Sequence, residues 1–226
     1  MKIIWKYFTF VWTLLTVLNG NSPLHERYHT YEEIQTQLEA WNTEFGTNQN
    51  PSGAYPESGI IYHLEGLGTS TEDGLPFWAV KLSYNANLDE DEPRFLFLGQ
   101  CHAEEIYGVE ITMELINKFL HPSPQYHLQN MQAILQSSEV WVVPTYNPEG
   151  LTVVHGDSVS GDWLQDVSYR KNKRDVNLNG VFDFDNTAEA GNDSDGVDLN
   201  RNYDFNWIFG DGVWEEDYGS GNYQSH

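Results

Sequence analysis

The chain has 226 residues, enough for one sizeable α/β domain with its own core. Apolar residues make up 39% and aromatics 14%, which excludes an intrinsically disordered chain. Thirty-four acidic against eleven basic residues leave a net charge of −23, a field that repels nucleic acid and anionic membranes.

At the N-terminus, Lys2 and Lys6 precede 7-YFTFVWTLLTVL-18, an uncharged apolar stretch. Twelve residues are too few to span a bilayer but suit the core of a signal peptide. Gly20-Asn21-Ser22 offers a small-x-small cleavage site, so residues 1–22 are expected to be a leader and residues 23–226 the exported part. The alternative is a buried N-terminal helix or strand. No other stretch is long and apolar enough to span a membrane, and the expected location is secreted, extracellular or periplasmic.

Residues 30-TYEEIQTQLEAWNTEF-45 open with Thr30 and Glu33 at capping-box spacing and continue with Ile34, Leu38, Trp41 and Phe45, which predicts an amphipathic helix. A Gly, Pro, Ser and Asn-rich loop follows over 46–59. Strands are then predicted at 60–68, 77–85 and 94–99. The third reads as a buried strand that ends at Gly99. After His102, apolar residues at Ile106, Val109, Met113, Ile116 and Leu120 predict a helix that stops before 121-HPSP-124. A second helix covers about Leu128 to Leu135, and 139-EVWVVPTYNPEG-150 reads as a buried strand and a turn. Strand, helix, helix, strand is the pattern of an α/β sheet with crossover connections. From Gly156 onward the chain reads as ordered loops without long periodic runs.

The chemistry concentrates where the third strand ends. Cys101 is the only cysteine, so no internal disulfide forms, and at the end of a strand it reads as an inert apolar thiol rather than a nucleophile. His102 and Glu105 form His-x-x-Glu on a strand-to-helix turn, and an imidazole and a carboxylate aimed at one point suit zinc. Alone, the same pair is as readily a helix-capping pair on the surface. Further on, 168-SYRKNKRD-175 packs four basic residues into five positions. In turn, 196-GVDLNRNYDFNW-207 sets Asn200 beside Arg201. Arginine forks bind carboxylates bidentately, while ion pairing with nearby aspartates is the commoner fate of any single arginine.

Taken in order, "GQCHAEE", "VVPTYNPEG", "YRKNKR" and "GVDLNRNYDFNW" resemble the motifs of the zinc carboxypeptidases of the peptidase M14 family. The resemblance runs from about Tyr28 to the C-terminus. It implies an α/β fold, a mixed β-sheet flanked by helices in an α/β/α sandwich. It also implies that His102 and Glu105 are zinc ligands, that Arg170 stabilises a developing oxyanion, and that Asn200 and Arg201 bind the free C-terminal carboxylate of a peptide or protein substrate. Where members of the family often have Arg between the ligands, this chain has Glu104. The family's third ligand, a His, and its glutamate base have no match here, and His226 does not sit as that ligand would. The expectation is therefore a partial catalytic domain, incomplete at the C-terminus and inactive by itself.

Two alternatives stand beside this reading: a same-fold amidase acting on cell-wall peptides, and an exported calcium-binding or adhesion module on an inactive hydrolase scaffold. The second draws on 175-DVNLNGVFDFD-185, where Asp175, Asn177 and Asn179 precede Gly180 as in a calcium loop, with Asp183 as a further oxygen donor. The acid expected at position twelve is absent, since Asn186 stands there. Asp193, Asp195 and Asp198 are candidates to complete the cage.

Overall fold

A computed structural model describes residues 24, 26–47, 53–123, 127–159, 162–182 and 195–203. The expected leader, Asp183, Asp193 and His226 lie outside these residues.

Helix α1 spans Tyr31–Phe45. Thr30 accepts from the Glu33 amide while the Glu33 carboxylate takes the Thr30 amide, the reciprocal cap that the spacing predicts. Its buried stripe, Tyr31, Ile34, Leu38, Trp41 and Phe45, forms one side of the main core. Strands β1 (Tyr62–Thr69) and β2 (Pro76–Leu82) make an antiparallel pair with an irregularity between Gly66 and Gly68. Strand β3 covers Arg94–Gln100, helix α2 Tyr107–Leu120, helix α3 Leu128–Leu135 and strand β4 Glu139–Thr145. The sheet order is β1-β2-β4-β3, with β3 parallel to β4 and β2 antiparallel to it. The expected mixed sheet is present, and α2 and α3 supply the crossover between its parallel strands. Val109, Met113, Ile116 and Leu120 of α2 join Val80, Leu82, Val140 and Val142 of the sheet in the core. Helix α2 starts at Tyr107, so Glu105 lies in the turn before it rather than in its first turn.

Three features depart from the sequence reading. Strand β3 is an edge strand in the described sheet, not a buried one. Phe95, Leu96, Phe97 and Leu98 are all about half exposed, at 45–62%. An apolar run says that a strand can be buried on both faces but not that neighbours cover it. Second, "NPEG" continues as helix α4 (Pro148–His155), with Asn147 as its N-cap and proline in its first turn. Third, a small antiparallel hairpin, β5 (Asp157–Val159) and β6 (Asp162–Leu164), follows it.

One ionic cluster sits inside this frame. Glu139, 1% exposed, receives Lys81 at 2.6 Å and Arg94 at 2.8 Å, and Lys81 is itself 4% exposed.

Candidate metal centre

Strand β3 delivers the turn 101–106 to the C-terminal end of the parallel pair, where open α/β sheets place ligands. The close packing there requires glycine twice. A Cβ on Gly99 would strike the Pro144 carbonyl of β4, and one on Gly108 would meet the Gln100 amide at 2.9 Å. Bare backbone at these positions lets α2 rise directly from the strand end.

The turn is tied on several sides. Gln100 donates to the Ala103 carbonyl at 2.9 Å and accepts from Thr145. The Ala103 amide donates to the Arg170 carbonyl at 3.0 Å. Asn147, 2% exposed, donates from Nδ2 to the carbonyls of Cys101 at 2.9 Å and Lys171 at 3.1 Å, while its Oδ1 accepts the Gly150 amide at 3.1 Å. One side chain thus joins the turn after β3, the start of α4 and the segment carrying Arg170. Its signal in the sequence was the Asn-Pro pair, an N-cap followed by proline at the first helical position.

His102 is buried and Glu105 is exposed, and His102 Nδ1 lies 3.1 Å from Glu105 Oε1. Nδ1 nevertheless has no hydrogen-bond partner. A tetrahedral zinc with ligand bonds near 2.0–2.2 Å separates its ligand atoms by about 3.3–3.6 Å, so an orphaned imidazole nitrogen facing a carboxylate oxygen slightly inside this distance fits a shared metal. Among the described residues no three His, Cys, Asp or Glu side chains stand close enough to hold a metal by themselves. The turn brings two such side chains, His102 and Glu105, together.

On the far side of the ring, His102 Nε2 lies 3.2 Å from Asp198 Oδ1 and 2.7 Å from Arg170 Nη2. Asp198 can only accept and Arg170 can only donate, so the two contacts suit opposite tautomers. Arg170 Nε donates to Asp198 Oδ2 at 2.8 Å, and Nη1 donates to Glu104 Oε1 at 3.1 Å. Burial pushes the Glu104 carboxyl up, and the Arg170 guanidinium opposes that shift without reversing it. Burial pulls Arg170 down, but Asp198 and Glu104 outweigh it and raise the guanidinium above its ordinary value. Burial also pushes the Cys101 thiol up, which keeps it protonated and supports the inert reading.

The basic run divides by function. Arg170 faces His102, whereas Lys173 pairs with Asp73 at 2.8 Å and Arg174 with Glu72 at 3.2 Å. The Glu72 and Asp73 amides both donate to Glu149 Oε1, so the acidic turn before β2 is pinned by its own chain rather than by a ligand. Asn200 and Arg201 stand exposed on a single 3-10 turn, Leu199–Arg201, begun by Asp198. The Asn200 amide donates to Asp198 Oδ1, and Arg201 Nη1 donates to the Asn200 carbonyl.

Among the described residues proposed for calcium, the side-chain oxygens accept backbone amides, and Asp183 and Asp193 lie outside those residues. Asp175 accepts the amides of Leu178 and Gly180, Asn177 that of Asn179, and Asn179 that of Val181, so each closes a turn of its own loop. Asp195 accepts the Val176 amide and Asp198 belongs to the Arg170 and His102 cluster. Asp198 is thus the site residue whose place the sequence reading missed. The sequence had offered it only as a candidate calcium ligand two residues before Asn200.

The family model for zinc carboxypeptidases (peptidase M14) matches residues 54–225. A zinc carboxypeptidase of Saccharothrix mutabilis subsp. capreolus is 29% identical over 181 residues, covering 80% of this chain and 33% of that protein. Carboxypeptidase B of Astacus astacus is 26% identical over 182 residues, covering 80% of this chain and 46% of its own length. The chain thus spans less than half the length of these curated relatives. Among solved structures, carboxypeptidase A from Helicoverpa armigera aligns with a TM-score of 0.53 at 22% identity, over 80% of this chain and 34% of that one. Thrombin activatable fibrinolysis inhibitor aligns with a TM-score of 0.54 at 16% identity, over 82% and 38%. At such identities the structural likeness speaks to the fold.

Proposed function

The chain belongs to the zinc carboxypeptidase family, peptidase M14, and we propose that its full-length form removes C-terminal residues from peptides. The observation that carries this reading is the buried, unpartnered His102 Nδ1 facing Glu105 Oε1 at 3.1 Å. His102 and Glu105 would hold the metal, with a third protein ligand and a carboxylate base from outside the described residues. Zinc at such a site lowers the pKa of its water and polarises a carbonyl.

Further roles fall to described residues of this chain. For Nδ1 to present a lone pair, the imidazole proton must sit on Nε2, where Asp198 Oδ1 accepts it. That contact therefore favours the ligating tautomer, in which Nε2 carries the proton and accepts nothing from Arg170 Nη2. Arg170 remains anchored through Nε and Nη1 and offers its remaining N–H groups to a developing oxyanion. Asn200 and Arg201, exposed on their turn, would take the substrate's terminal carboxylate, Arg201 as a fork. The apolar stretch at residues 7–18 supports export of the mature protein.

The test uses the full-length protein and its His102→Ala and Glu105→Ala variants, with zinc content by elemental analysis beside hydrolysis of a peptide as free acid and as C-terminal amide. Both variants should lose zinc and activity together. The amide should react more slowly by about 100-fold or more, since removal of a charged anchor costs roughly 3 kcal/mol. Stoichiometric zinc and unchanged turnover in His102→Ala would overturn the metal assignment; equal rates on acid and amide would overturn the exopeptidase one.

A further inference from the structure

Glu104 stands between the two proposed ligands, at the position where members of the resembled family often carry arginine, and the site reverses its charge there. Its carboxylate meets Arg170 Nη1 at 3.1 Å, and both side chains are 23% exposed. Glu104 Oε2 is buried without a partner, and among the described residues the side-chain hydrogen bond on this carboxylate comes from Arg170. A second nitrogen of the guanidinium, Nε, donates to Asp198 Oδ2 at 2.8 Å. The main chains are tied in parallel, since the Ala103 amide donates to the Arg170 carbonyl.

We propose that Glu104 is a positioning residue: with Asp198 it forms a two-carboxylate clamp that fixes the Arg170 guanidinium beside His102, and it acts on the reaction only through Arg170. This proposal rests on the carboxypeptidase reading for its kinetic consequence but not for the clamp itself. The physical case is that arginine carries a rigid fork on a long, rotatable stem, and the fork serves a reacting group only when its rotamer is locked by neighbours. A carboxylate at each of two adjacent edges, one from the turn 101–106 and one from the 3-10 turn, restricts both the tilt and the rotation of the plane. An arginine in place of Glu104 would repel Arg170 and leave Asp198 as its sole carboxylate. In this chain the clamp exchanges a second cation facing the substrate path for a better-ordered first one. Arg170 keeps N–H groups on Nη1 and Nη2 beyond those the clamp engages, so an ordered guanidinium can still donate to substrate.

The first arm of the test needs no catalysis. This chain, wild type and variants, is treated with phenylglyoxal, and modification at each arginine is followed by mass spectrometry. Glu104→Ala should speed modification of Arg170 by about 10-fold, the scale expected for loss of one charge-assisted hydrogen bond. Glu104→Gln, which keeps an acceptor for Nη1, should fall between, and exposed Arg201 serves as the internal control. An unchanged rate at Arg170 in Glu104→Ala refutes the clamp. The second arm measures the full-length protein. Glu104→Ala should lower kcat by about 100-fold, as small misplacements of a reacting group do, with little change in KM and unchanged zinc content. Glu104→Gln should recover part of the loss, and Glu104→Ala should add nothing on an Arg170→Ala background. Additive losses in the double variant would overturn the claim that Glu104 works through Arg170. A wild-type protein with no peptidase activity would refute the carboxypeptidase reading, while the modification arm would still decide the clamp.

Discussion

Asn147 makes the sharpest stability prediction, because its side chain alone joins three segments around the site. Replacing it with alanine removes the N-cap bond to the Gly150 amide, worth about 1 kcal/mol. It also strips the buried carbonyls of Cys101 and Lys171 of their side-chain donor, and each orphaned acceptor costs about 1–3 kcal/mol. The sum is about 3–7 kcal/mol, a large share of the 5–15 kcal/mol that holds an ordinary domain together. Aspartate separates the contributions. It retains the acceptor for Gly150 and suits the positive end of α4, yet it has no N–H and would aim a charge at two carbonyls. Asn147→Asp should therefore be at least as destabilising as Asn147→Ala at neutral pH, although it is nearly isosteric. Urea unfolding monitored by circular dichroism gives the comparison, with midpoints compared at constant m. An aspartate variant as stable as wild type would show that the two Nδ2 bonds contribute nothing and would refute the reasoning.

Two further predictions concern pH. Burial works to raise the Glu139 carboxyl, but hydrogen bonds from Lys81 and Trp141 and the charges of Lys81 and Arg94 outweigh it, and the net direction is down. A carboxylate whose pKa is lower folded than unfolded contributes stability above its unfolded value, about 4.3, which is lost as pH falls through the folded value. Glu139→Gln should flatten the acid limb of the urea-midpoint curve. At neutral pH it should cost about 3–5 kcal/mol by stranding buried Lys81, whereas Lys81→Met with Glu139→Leu should recover most of that. An acid limb as steep in Glu139→Gln as in wild type would contradict this. His155 behaves in the opposite chemical sense. Burial pushes its imidazole down, against the raising influence of Glu33, Glu110 and the His29 backbone. Stability from the neutral form is full above the unfolded value, about 6.5, and falls as pH drops through it towards the folded value, since the unfolded chain gains the proton first. His155→Gln should lessen the fall in melting temperature between about pH 7 and 5; an identical slope by calorimetry would rule His155 out as its source.

Much of the fold was legible locally. The capping box and the stripe from Ile34 to Phe45 specify α1, and apolar spacing from Val109 to Leu120 specifies α2, because these signals depend on neighbours three or four residues away. The order of the four motifs likewise located His102, Glu105, Arg170 and the Asn200-Arg201 pair and pointed to the family that the comparison bears out. The eight-residue α4 escaped because its opening Asn-Pro-Glu-Gly reads as a turn and too few residues follow to display a helical period. The exposure of β3 escaped because apolarity states what a strand tolerates, not which neighbours cover it. What the sequence by itself determined is the inventory: an imidazole and a carboxylate on one turn, a basic run, and an Asn-Arg pair. Only the tertiary structure decided how those charges are shared. Arg170 meets Glu104 across 66 residues and Asp198 across 28, while its neighbours Lys173 and Arg174 turn to acids about a hundred residues earlier. Charge and spacing alone do not distinguish these cations; the family resemblance singled out Arg170. Asn147 ties the Cys101 and Lys171 carbonyls together, which brings the segment carrying Arg170 against the turn carrying His102.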